Sequence, residues 1–340
     1  MLYCLASIKL SQRKFYMQKI SFILFAAFIS FSLTLSAKDK HKFWTTYESA
    51  KKEDPDFSIQ GEYKSSDEKI AKTIAAQVVA LGAGKFDVYI LEGGLPGEGW
   101  EKSKQRIKIS GQLKNGIVTF SGKGITAEIK NSKITVTNNG VSHVLSRIER
   151  QSPTLGKKAP KGAIVLFDGI NTDSWEKGQM KDGLLLHGTM SKEKFYSYHL
   201  HAEFLTPYRP FSRGQGRGNS GIYHQARYET QVLDSFALEG RWNETGGIYS
   251  ISAPRLNMCF PPLTWQTYDI DLTTAVYKDG KKVKNARITV KLNGVVVQEN
   301  IELTHSTTSS KLKEGPEPGP IYLQNHGNPV FYKNIWIIKK

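Results

Sequence analysis

The chain has 340 residues, enough for two domains of ordinary size. Its composition, with 39% hydrophobic and 23% charged residues, 30 Gly and 15 Tyr, is typical of a globular protein rich in turns and strands. The formal net charge is +16, and the basic residues are dispersed without a long run. No nucleic-acid-binding motif accompanies them, so the sequence argues against specific nucleic-acid binding and fits general adhesion to anionic polymers better.

The N-terminal sequence predicts a secretory signal peptide over residues 1–37. An apolar run at 21–36 follows Lys19 and ends at Ala37, and Met17 is favoured as the start. A basic segment, a short apolar segment and a small boundary residue are typical of cleaved export signals. The run is shorter than the about 20 apolar residues of a spanning helix. We therefore expect a secreted or periplasmic protein with no stable membrane insertion after cleavage, and a retained membrane anchor is the alternative.

Cysteine content is compatible with export. Cleavage would remove Cys4 and leave Cys259 alone, so no internal disulfide is expected in the mature chain. Cys259 lies between Met258 and Phe260. This apolar context predicts a small buried residue rather than a nucleophile.

Residues 38–150 are predicted to form a small β-rich accessory domain. Short strand-like segments recur there about every ten residues, which favours an antiparallel β-meander or a small roll. No catalytic cluster stands out, so a structural role is expected. Residues 151–162 are rich in Pro, Gly and Lys and predict a linker to a second domain, residues 163–340.

The second domain is predicted to be all β. About ten strand-like segments occur in it without a long helical period, which indicates a β-sandwich of the jelly-roll type. Asn293-Gly294 between two alternating apolar runs is a strong signal for a two-residue hairpin.

The most informative stretch is 217–235, with the sequence RGNSGIYHQARYETQVLDS. Side chains of a strand repeat their direction every two residues, so Glu229 and Gln231 should share one face. Asp234 would join that face if a bulge followed Gln231. Two carboxylates and an amide on one wall of a sheet indicate a sugar-processing site. The alternative is an edge strand with solvated polar residues.

Several segments of 163–340 together resemble one known family, the 3-keto-disaccharide hydrolase domain family. The segments that carry the resemblance are FDG near 168, RGNSGIY at 217–223, YETQVLDS at 228–235, PPLTWQTYDI at 261–270, ARITVKLNGVVV at 286–297 and IYLQNHGNPVFYKNIWI at 321–337. This family was formerly a domain of unknown function, and its fold resembles the concanavalin A-like lectin and glucanase sandwiches. The resemblance therefore implies a jelly-roll β-sandwich that cleaves sugars oxidised at C3.

Retaining glucanases of the same superfamily carry the motif E-x-D-x-x-E on a bulged strand. The present chain has Glu229, Gln231 and Asp234 at those positions. Gln231 cannot ionise, and Asp234 is one methylene shorter than the glutamate it replaces. Retaining hydrolysis needs two carboxyls about 5–5.5 Å apart, so we do not carry that mechanism over.

The chemistry implied by the resemblance starts at the ketone. A ketone at C3 acidifies the C2 hydrogen, so a base can form an enolate that expels the group at C1, and water can then add to the double bond. The candidate base is Glu229 or His326, and Asp234 is a candidate second acid or base. His326 could instead be a loop histidine bonded to backbone. The candidates for substrate binding are Arg217, Asn219, Gln231 and Gln324 through hydrogen bonds, and Tyr223, Trp242 and Tyr249 through stacking on a sugar face.

No certain cofactor is indicated by the sequence. A divalent cation held by Glu229, Asp234 and His326 is an open alternative, although no compact histidine motif supports it. His199 and His201 alternate along one strand and are interpreted as surface residues. The expected partner is a carbohydrate substrate. The competing functional classes are a non-catalytic carbohydrate-binding module and a conventional retaining glycosidase.

Overall fold

The computed structural model describes residues 42–340. The predicted signal peptide, its start at Met17 and Cys4 lie outside this range. No helix within 42–340 is long and apolar enough to cross a membrane. Phe43–Lys340 forms one unit, in which two β structures pack against each other.

The N-terminal structure is a closed antiparallel barrel of eight strands in sequence order. It is preceded by helix α1 (Tyr47–Glu53) and a 3-10 helix (Pro55–Ser58), and helix α2 (Glu68–Ala71) follows the first strand. The strands are β1 (Gly61–Lys64), β2 (Ile74–Gly82), β3 (Lys85–Glu92), β4 (Arg106–Lys114), β5 (Ile117–Gly122), β6 (Ile125–Lys130), β7 (Lys133–Asn138) and β8 (Val141–Ile148). The barrel closes where β1 pairs with β8, with Glu62 opposite Ile148.

Alternating side chains explain why these strands form a barrel. In β6 the apolar residues Ile125, Ala127 and Ile129 are buried and the residues between them are exposed. A strand with this period of two places one face in the interior and the other in solvent. The expected meander is therefore present, and its two ends pair to remove the free edges.

The C-terminal structure is a two-sheet sandwich. Its strands are β9 (Ile164–Phe167), β10 (Trp175–Glu176), β11 (Met180–Lys181), β12 (Leu184–Leu186), β13 (Thr189–Ser191), β14 (Tyr198–Leu205), β15 (Asn219–His224), β16 (Tyr228–Leu233), β17 (Gln266–Thr273), β18 (Val276–Lys278), β19 (Lys281–Lys284), β20 (Ala286–Leu292), β21 (Val295–Leu303), β22 (Tyr322–Leu323) and β23 (Phe331–Lys339). One sheet has the order β10-β13-β22-β15-β16. The other has the order β11-β12-β23-β14-β17-β20-β21, with β9 beside β23. The all-β jelly-roll class predicted from the sequence is the observed class.

The barrel and the sandwich share apolar side chains. Ala75, Val79 and Leu91 on the outside of the barrel belong to the apolar cluster of the sandwich core. In return, Leu205 and Phe331 of the sandwich pack with the core of the barrel. The area between the two structures is thus an apolar interface rather than a hinge.

Part of the segment predicted as a linker is bound to the outer face of the larger sheet. The Ser152 hydroxyl lies 2.6 Å from the Thr267 hydroxyl, and the Gly156 amide donates to a Glu203 oxygen at 2.6 Å. Under this segment His201 is fully buried, with Nδ1 2.9 Å from Asp269 Oδ1. The interpretation of His201 as a surface residue is therefore wrong, because its strand is covered by chain from outside the sheet.

His199, its predicted companion, is only partly covered. Nδ1 of His199 lies 3.4 Å from Asp271 Oδ2, and Nε2 lies 3.8 Å from Asp269 Oδ1. Cys259 is buried, and burial raises the pKa of its thiol to about 12. It is a buried small residue, as interpreted from its apolar neighbours.

Candidate active site

The candidate site is built on the hairpin formed by β15 and β16. Tyr223 pairs with Glu229 and Gly221 pairs with Gln231 across the hairpin, so these side chains lie on one face. On the opposite face Ile222 belongs to the sandwich core. All six residues of each strand are buried because loops cover the polar face as well.

A cleft lies over the polar face of this hairpin. Seven residues predicted from the sequence line it: Asn219, Tyr223, Glu229, Gln231, Tyr249, Gln324 and His326. Three residues that were not predicted complete the lining: Gln215, Thr308 and Ser309. Among all these residues Glu229 is the one carboxyl.

Glu229 is buried without a compensating cation. Its side chain is 2% exposed, and its Oε2 accepts a hydrogen bond from the Tyr223 hydroxyl at 2.8 Å. Burial raises the pKa of Glu229 to about 7, and the bond from Tyr223 opposes that rise. A carboxyl with a pKa near neutrality can both take and return a proton under ordinary conditions.

Gly221 provides the space for the Glu229 side chain. A Cβ at residue 221 would lie 2.3 Å from Oε1 and 2.9 Å from the carboxyl carbon of Glu229. Such distances do not occur between non-bonded atoms, so a larger residue would displace the carboxylate. The backbone of Gly221 is not left-handed; its function in the site is steric.

Tyr223 connects Glu229 to two further groups. Its hydroxyl lies 2.8 Å from the Thr308 carbonyl oxygen and accepts from Gln324 Nε2 at 3.2 Å. The phenol carries one hydrogen, which can point to Glu229 or to Thr308. When Glu229 is ionised the phenol donates to it; when Glu229 is protonated the phenol can accept from it and donate to Thr308. Glu229 is hydrogen-bonded in both states.

Two buried acceptor atoms in the cleft have no donor within residues 42–340. They are Oδ1 of Asn219 and Oε1 of Gln324. The amide nitrogens of these residues are used: Asn219 Nδ2 donates to Gln215 Oε1 at 2.9 Å, and Gln324 Nε2 donates to Tyr223. Unsatisfied buried acceptors favour a ligand that supplies hydroxyl donors.

Gln231 lies deep in the cleft and is held by its neighbours. Its Oε1 accepts from the Val232 amide at 2.9 Å, and its Nε2 donates to Gln215 Oε1 at 3.1 Å. The side chain is 1% exposed. Gln231 is thus fixed in orientation at the floor beside Glu229.

Asp234 and Arg217 are not in the cleft. The pairing of β15 with β16 runs from Asn219 to His224 without a bulge, and β16 ends at Leu233. Asp234 Oδ2 instead accepts from Arg217 Nε at 2.7 Å in a buried ion pair. The predicted bulge, and with it the placement of Asp234 beside Glu229, is wrong because the strand ends before this residue.

Arg217 binds the barrel rather than the cleft. One terminal nitrogen donates to the Ala80 carbonyl at 3.3 Å, and the other donates to Gln60 Oε1 at 3.2 Å. The residue predicted to bind sugar therefore links the open end of the hairpin to strand β2. The three-residue cation set of Glu229, Asp234 and His326 is not assembled either, and no group of three His, Cys, Asp or Glu suited to a metal occurs within the described residues.

Trp242 and His326 lie at the outer part of the site. Trp242 is 42% exposed, and its ring packs edge-on against Tyr249 with centroids 4.8 Å apart. His326 is exposed, and its carbonyl accepts from Asn328 Nδ2 at 2.9 Å. Both side chains are accessible to a molecule that extends out of the cleft.

A larger cavity of about 390 Å³ lies between barrel and sandwich. Its charged side chains are already paired: Arg150 binds both oxygens of Glu62 at 2.6 Å, and Arg147 binds Glu149 at 2.8 Å. The cleft over the hairpin is smaller, about 70 Å³, but it holds the uncompensated carboxyl and the unsatisfied acceptors. These groups favour the cleft, rather than the larger cavity, as the functional site.

The three lining residues missed from the sequence belong to loops. Gln215 precedes β15 in the Gly-rich sequence SRGQGRGN, and Thr308 and Ser309 lie in the polar sequence HSTTSS. The Thr307 amide donates to the Arg227 carbonyl at 2.9 Å, which brings that polar loop to the hairpin. The polar composition of these two loops is the sequence feature that could have identified the three residues.

Comparison with known proteins gives two kinds of match. Residues 162–338 match a family model described as the 3-keto-alpha-glucoside-1,2-lyase-like domain. A crystal structure of a provisionally assigned glycosyl hydrolase from Parabacteroides distasonis ATCC 8503 is 34% identical, with a TM-score of 0.50, and the match covers 54% of this chain and 85% of that chain. The matched family segment contains every cleft residue and excludes the barrel.

Two further structures with the same provisional assignment, from the same organism, are each 20% identical to the chain. Their TM-scores are 0.38 and 0.37, and the matches cover 53% and 52% of this chain and 94% and 99% of theirs. No match was found among functionally curated proteins.

Proposed function

Because the chain belongs to the 3-keto-alpha-glucoside-1,2-lyase-like family, we propose that it is a carbohydrate-active hydrolase that cleaves glycosides oxidised at C3. Family membership and the Parabacteroides structure support a hydrolase acting on carbohydrates. The C3-oxidised substrate and the elimination route are our proposal for this chain. We also propose that the protein acts outside the cytoplasm, on the basis of the predicted signal peptide.

Glu229 is the proposed base. It removes the C2 proton, the C1–C2 double bond forms, and the bond from C1 to the leaving oxygen breaks. His326 at the open side of the cleft supplies a proton to the leaving oxygen. Water then adds to the double bond, with hydroxyl at C1 and hydrogen at C2, so the net reaction is hydrolysis.

The buried and uncompensated carboxyl of Glu229 is the observation that carries this proposal. A base that works near neutral pH is most efficient when its pKa lies near that pH, and burial places the pKa of Glu229 at about 7. Gln324 lines the same cleft, and the Nε2 hydrogen that it does not give to Tyr223 can donate to the oxygen that becomes negative in the enolate.

The conventional retaining route receives less support from the same geometry. It requires a second carboxyl about 5–5.5 Å from the first. Asp234, the predicted partner, is bound to Arg217 outside the cleft. A purely binding module would use the unsatisfied acceptors of Asn219 and Gln324 equally well, but it would gain nothing from burying Glu229 without a cation.

The test is an assay of the purified protein on 3-keto-trehalose and on trehalose, with and without a chelator. A substrate deuterated at C2 should react more slowly, because the C2–H bond breaks in the proposed step. Nuclear magnetic resonance of the product distinguishes 3-keto-glucose, the hydrated product, from the unsaturated sugar that a lyase would release.

Cleavage of the keto sugar alone, with a C2 isotope effect, is the expected result. Cleavage of trehalose without that effect would overturn the proposal in favour of a conventional glycosidase. Binding of either sugar without turnover would overturn it in favour of a binding module.

A further inference from the structure

A loop after β16 forms one border of the cleft. This rim loop, residues 236–252, runs beside β16: the Gln231 amide donates to the Gly247 carbonyl at 2.9 Å, and the Tyr249 amide donates to the Glu229 carbonyl at 3.1 Å. The rim loop carries both Tyr249 and the exposed Trp242. Its position therefore decides where these two rings stand relative to Glu229.

The barrel binds the rim loop through two basic side chains. Lys102 Nζ donates to the Gly240 carbonyl at 2.9 Å and to the Pro254 carbonyl, just beyond the loop, at 2.7 Å. The Arg106 guanidinium donates to the Ala237 carbonyl. Both residues lie in or next to the connection between β3 and β4.

The three bound carbonyls bracket Trp242 in the sequence. Ala237 and Gly240 precede it, and Pro254 follows it. Lysine suits this arrangement, since one ammonium group has three donors and can bind two carbonyls at once. Arg106 is itself fixed, because its guanidinium lies 4.0 Å from the centre of the Tyr89 ring of the barrel.

We propose that the barrel positions the rim loop, and that Trp242 on this loop forms the binding site for the leaving group. Lys102 and Arg106 are positioning residues in this inference, which rests on the function proposed above. Glu229 lies at the floor, so a sugar bound over it directs its substituent outward past Tyr249. An exposed indole there offers an apolar face on which a second sugar ring can stack.

The barrel thereby takes part in substrate specificity. The family match starts at residue 162 and leaves the barrel out, yet Lys102 and Arg106 of the barrel donate to carbonyls of the rim loop. The group recognised by Trp242 is the leaving sugar, and a substrate with a methyl group in its place has nothing to stack on the indole.

The experiment compares the full-length wild type with Lys102→Met, Trp242→Ala and the control Lys130→Met. Lys130 is an exposed barrel residue on β6, away from the sandwich-facing connection. Two substrates are used, 3-keto-trehalose and methyl 3-keto-glucoside. Hydrogen exchange of the amides in 236–252 is measured on the same samples without substrate.

Lys102→Met should accelerate exchange in the rim loop about tenfold. It should also raise KM for the disaccharide about tenfold while kcat and the KM of the methyl glycoside change less than twofold. Trp242→Ala should reproduce the KM effect, and Lys130→Met should resemble wild type in every measurement. Lys102→Arg, which keeps a charged donor, should restore most of the wild-type behaviour.

Unchanged exchange in Lys102→Met would overturn the positioning function of the barrel. Equal KM changes for both substrates would overturn the assignment of Trp242 to the leaving group. If the wild type cleaves no keto sugar, the proposed function fails. The exchange measurement still tests the contact between barrel and rim loop in that case, so the two failures are distinguishable.

Discussion

Glu229 and Asp234 lie five residues apart at one hairpin, and both are buried in entirely different electrostatic surroundings. Burial raises the pKa of Asp234 as well, but the guanidinium of Arg217 binds this carboxylate and opposes the rise. Glu229 has a neutral phenol as its partner and no charged group that lowers its pKa. A buried carboxylate without a cation has a free-energy cost, and carboxyls of this kind are concentrated at functional sites.

The larger sheet of the sandwich contains a second case of buried carboxylates with positively charged neighbours. His201, Asp269 and Glu203 form a buried group on its outer face, and Lys157 and Lys333 lie 3.5 and 3.6 Å from the two carboxylates. Burial opposes charge on His201, but the hydrogen bond to Asp269 and the Glu203 carboxylate 3.5 Å from Nε2 outweigh it and raise the pKa of the imidazole. The basic side chains compensate the charge of the two carboxylates, and we assign this group a role in the stability of the fold.

The largest expected effect is that of Glu229→Gln on activity. Loss of the base should lower kcat about 10³-fold.

The same substitution should stabilise the protein at high pH. The folded pKa of Glu229 is raised to about 7, so the stability linked to its protonation is present below its unfolded pKa and lost as pH rises through 7.

At pH 9 the gain for Glu229→Gln should approach about 3 kcal/mol in the free energy of unfolding, and at pH 4 it should vanish. Urea denaturation at both pH values measures it. Glu128→Gln on the exposed face of β6 is the control and should change neither quantity. A loss of stability at pH 9 would mean that Glu229 is compensated like Asp234.

Asp234→Asn should act in the opposite direction on stability. It leaves Arg217 buried without its carboxylate, which should cost about 3 kcal/mol in the free energy of unfolding. The pH at which activity falls on the acidic side should stay near 7, because Asp234 is not the titrating group. The double variant Arg217→Met, Asp234→Leu should regain a large part of the stability. If activity no longer fell on the acidic side in Asp234→Asn, the assignment of that fall to Glu229 would be contradicted.

Tyr223→Phe should have a moderate effect with a diagnostic sign. The hydrogen bond from Tyr223 lowers the pKa of Glu229, so its removal should raise that pKa. The acidic limb of kcat/KM should therefore move to higher pH, and the plateau should fall about tenfold as the carboxylate loses its partner. A shift of the acidic limb of kcat/KM to lower pH would exclude Glu229 as the group that titrates there.

His201→Gln should have the smallest effect, limited to stability. The raised pKa of His201 means that its stabilising charge is complete below its unfolded pKa and is lost as pH rises through the folded pKa. The variant should lose about 2 kcal/mol at pH 5.5 relative to wild type, and the difference should shrink towards pH 9. Denaturation across this range measures it, with kcat as the control that should not change. A difference that is constant with pH would indicate a packing effect.

Local sequence rules predicted much of the sandwich and part of the site. The period of two placed Glu229 and Gln231 on one face, and the register of the hairpin shows them there. The same rule could not show that Asp234 lies outside the cleft, because its partner Arg217 comes from the other side of the hairpin. The polar sequence 217–235 thus contained one carboxyl for the cleft and one for an ion pair.

Contacts between distant segments account for what the sequence did not predict. The closure of the barrel requires β1 to pair with β8, and the burial of His201 requires chain from the segment after the barrel. Thr308 enters the cleft only because its loop folds back onto the hairpin. None of these pairings leaves a period or a motif in the local sequence.

The fit of Gly221 against the Glu229 carboxylate has a practical consequence for comparing related chains. A Cβ at position 221 would displace the Glu229 carboxylate from its present position, since the Cβ would lie 2.3 Å from Oε1. The pair of residues at these two positions is therefore a marker that can be scored without a structure. In a relative with alanine at 221 we expect the carboxylate at 229 to adopt a different position.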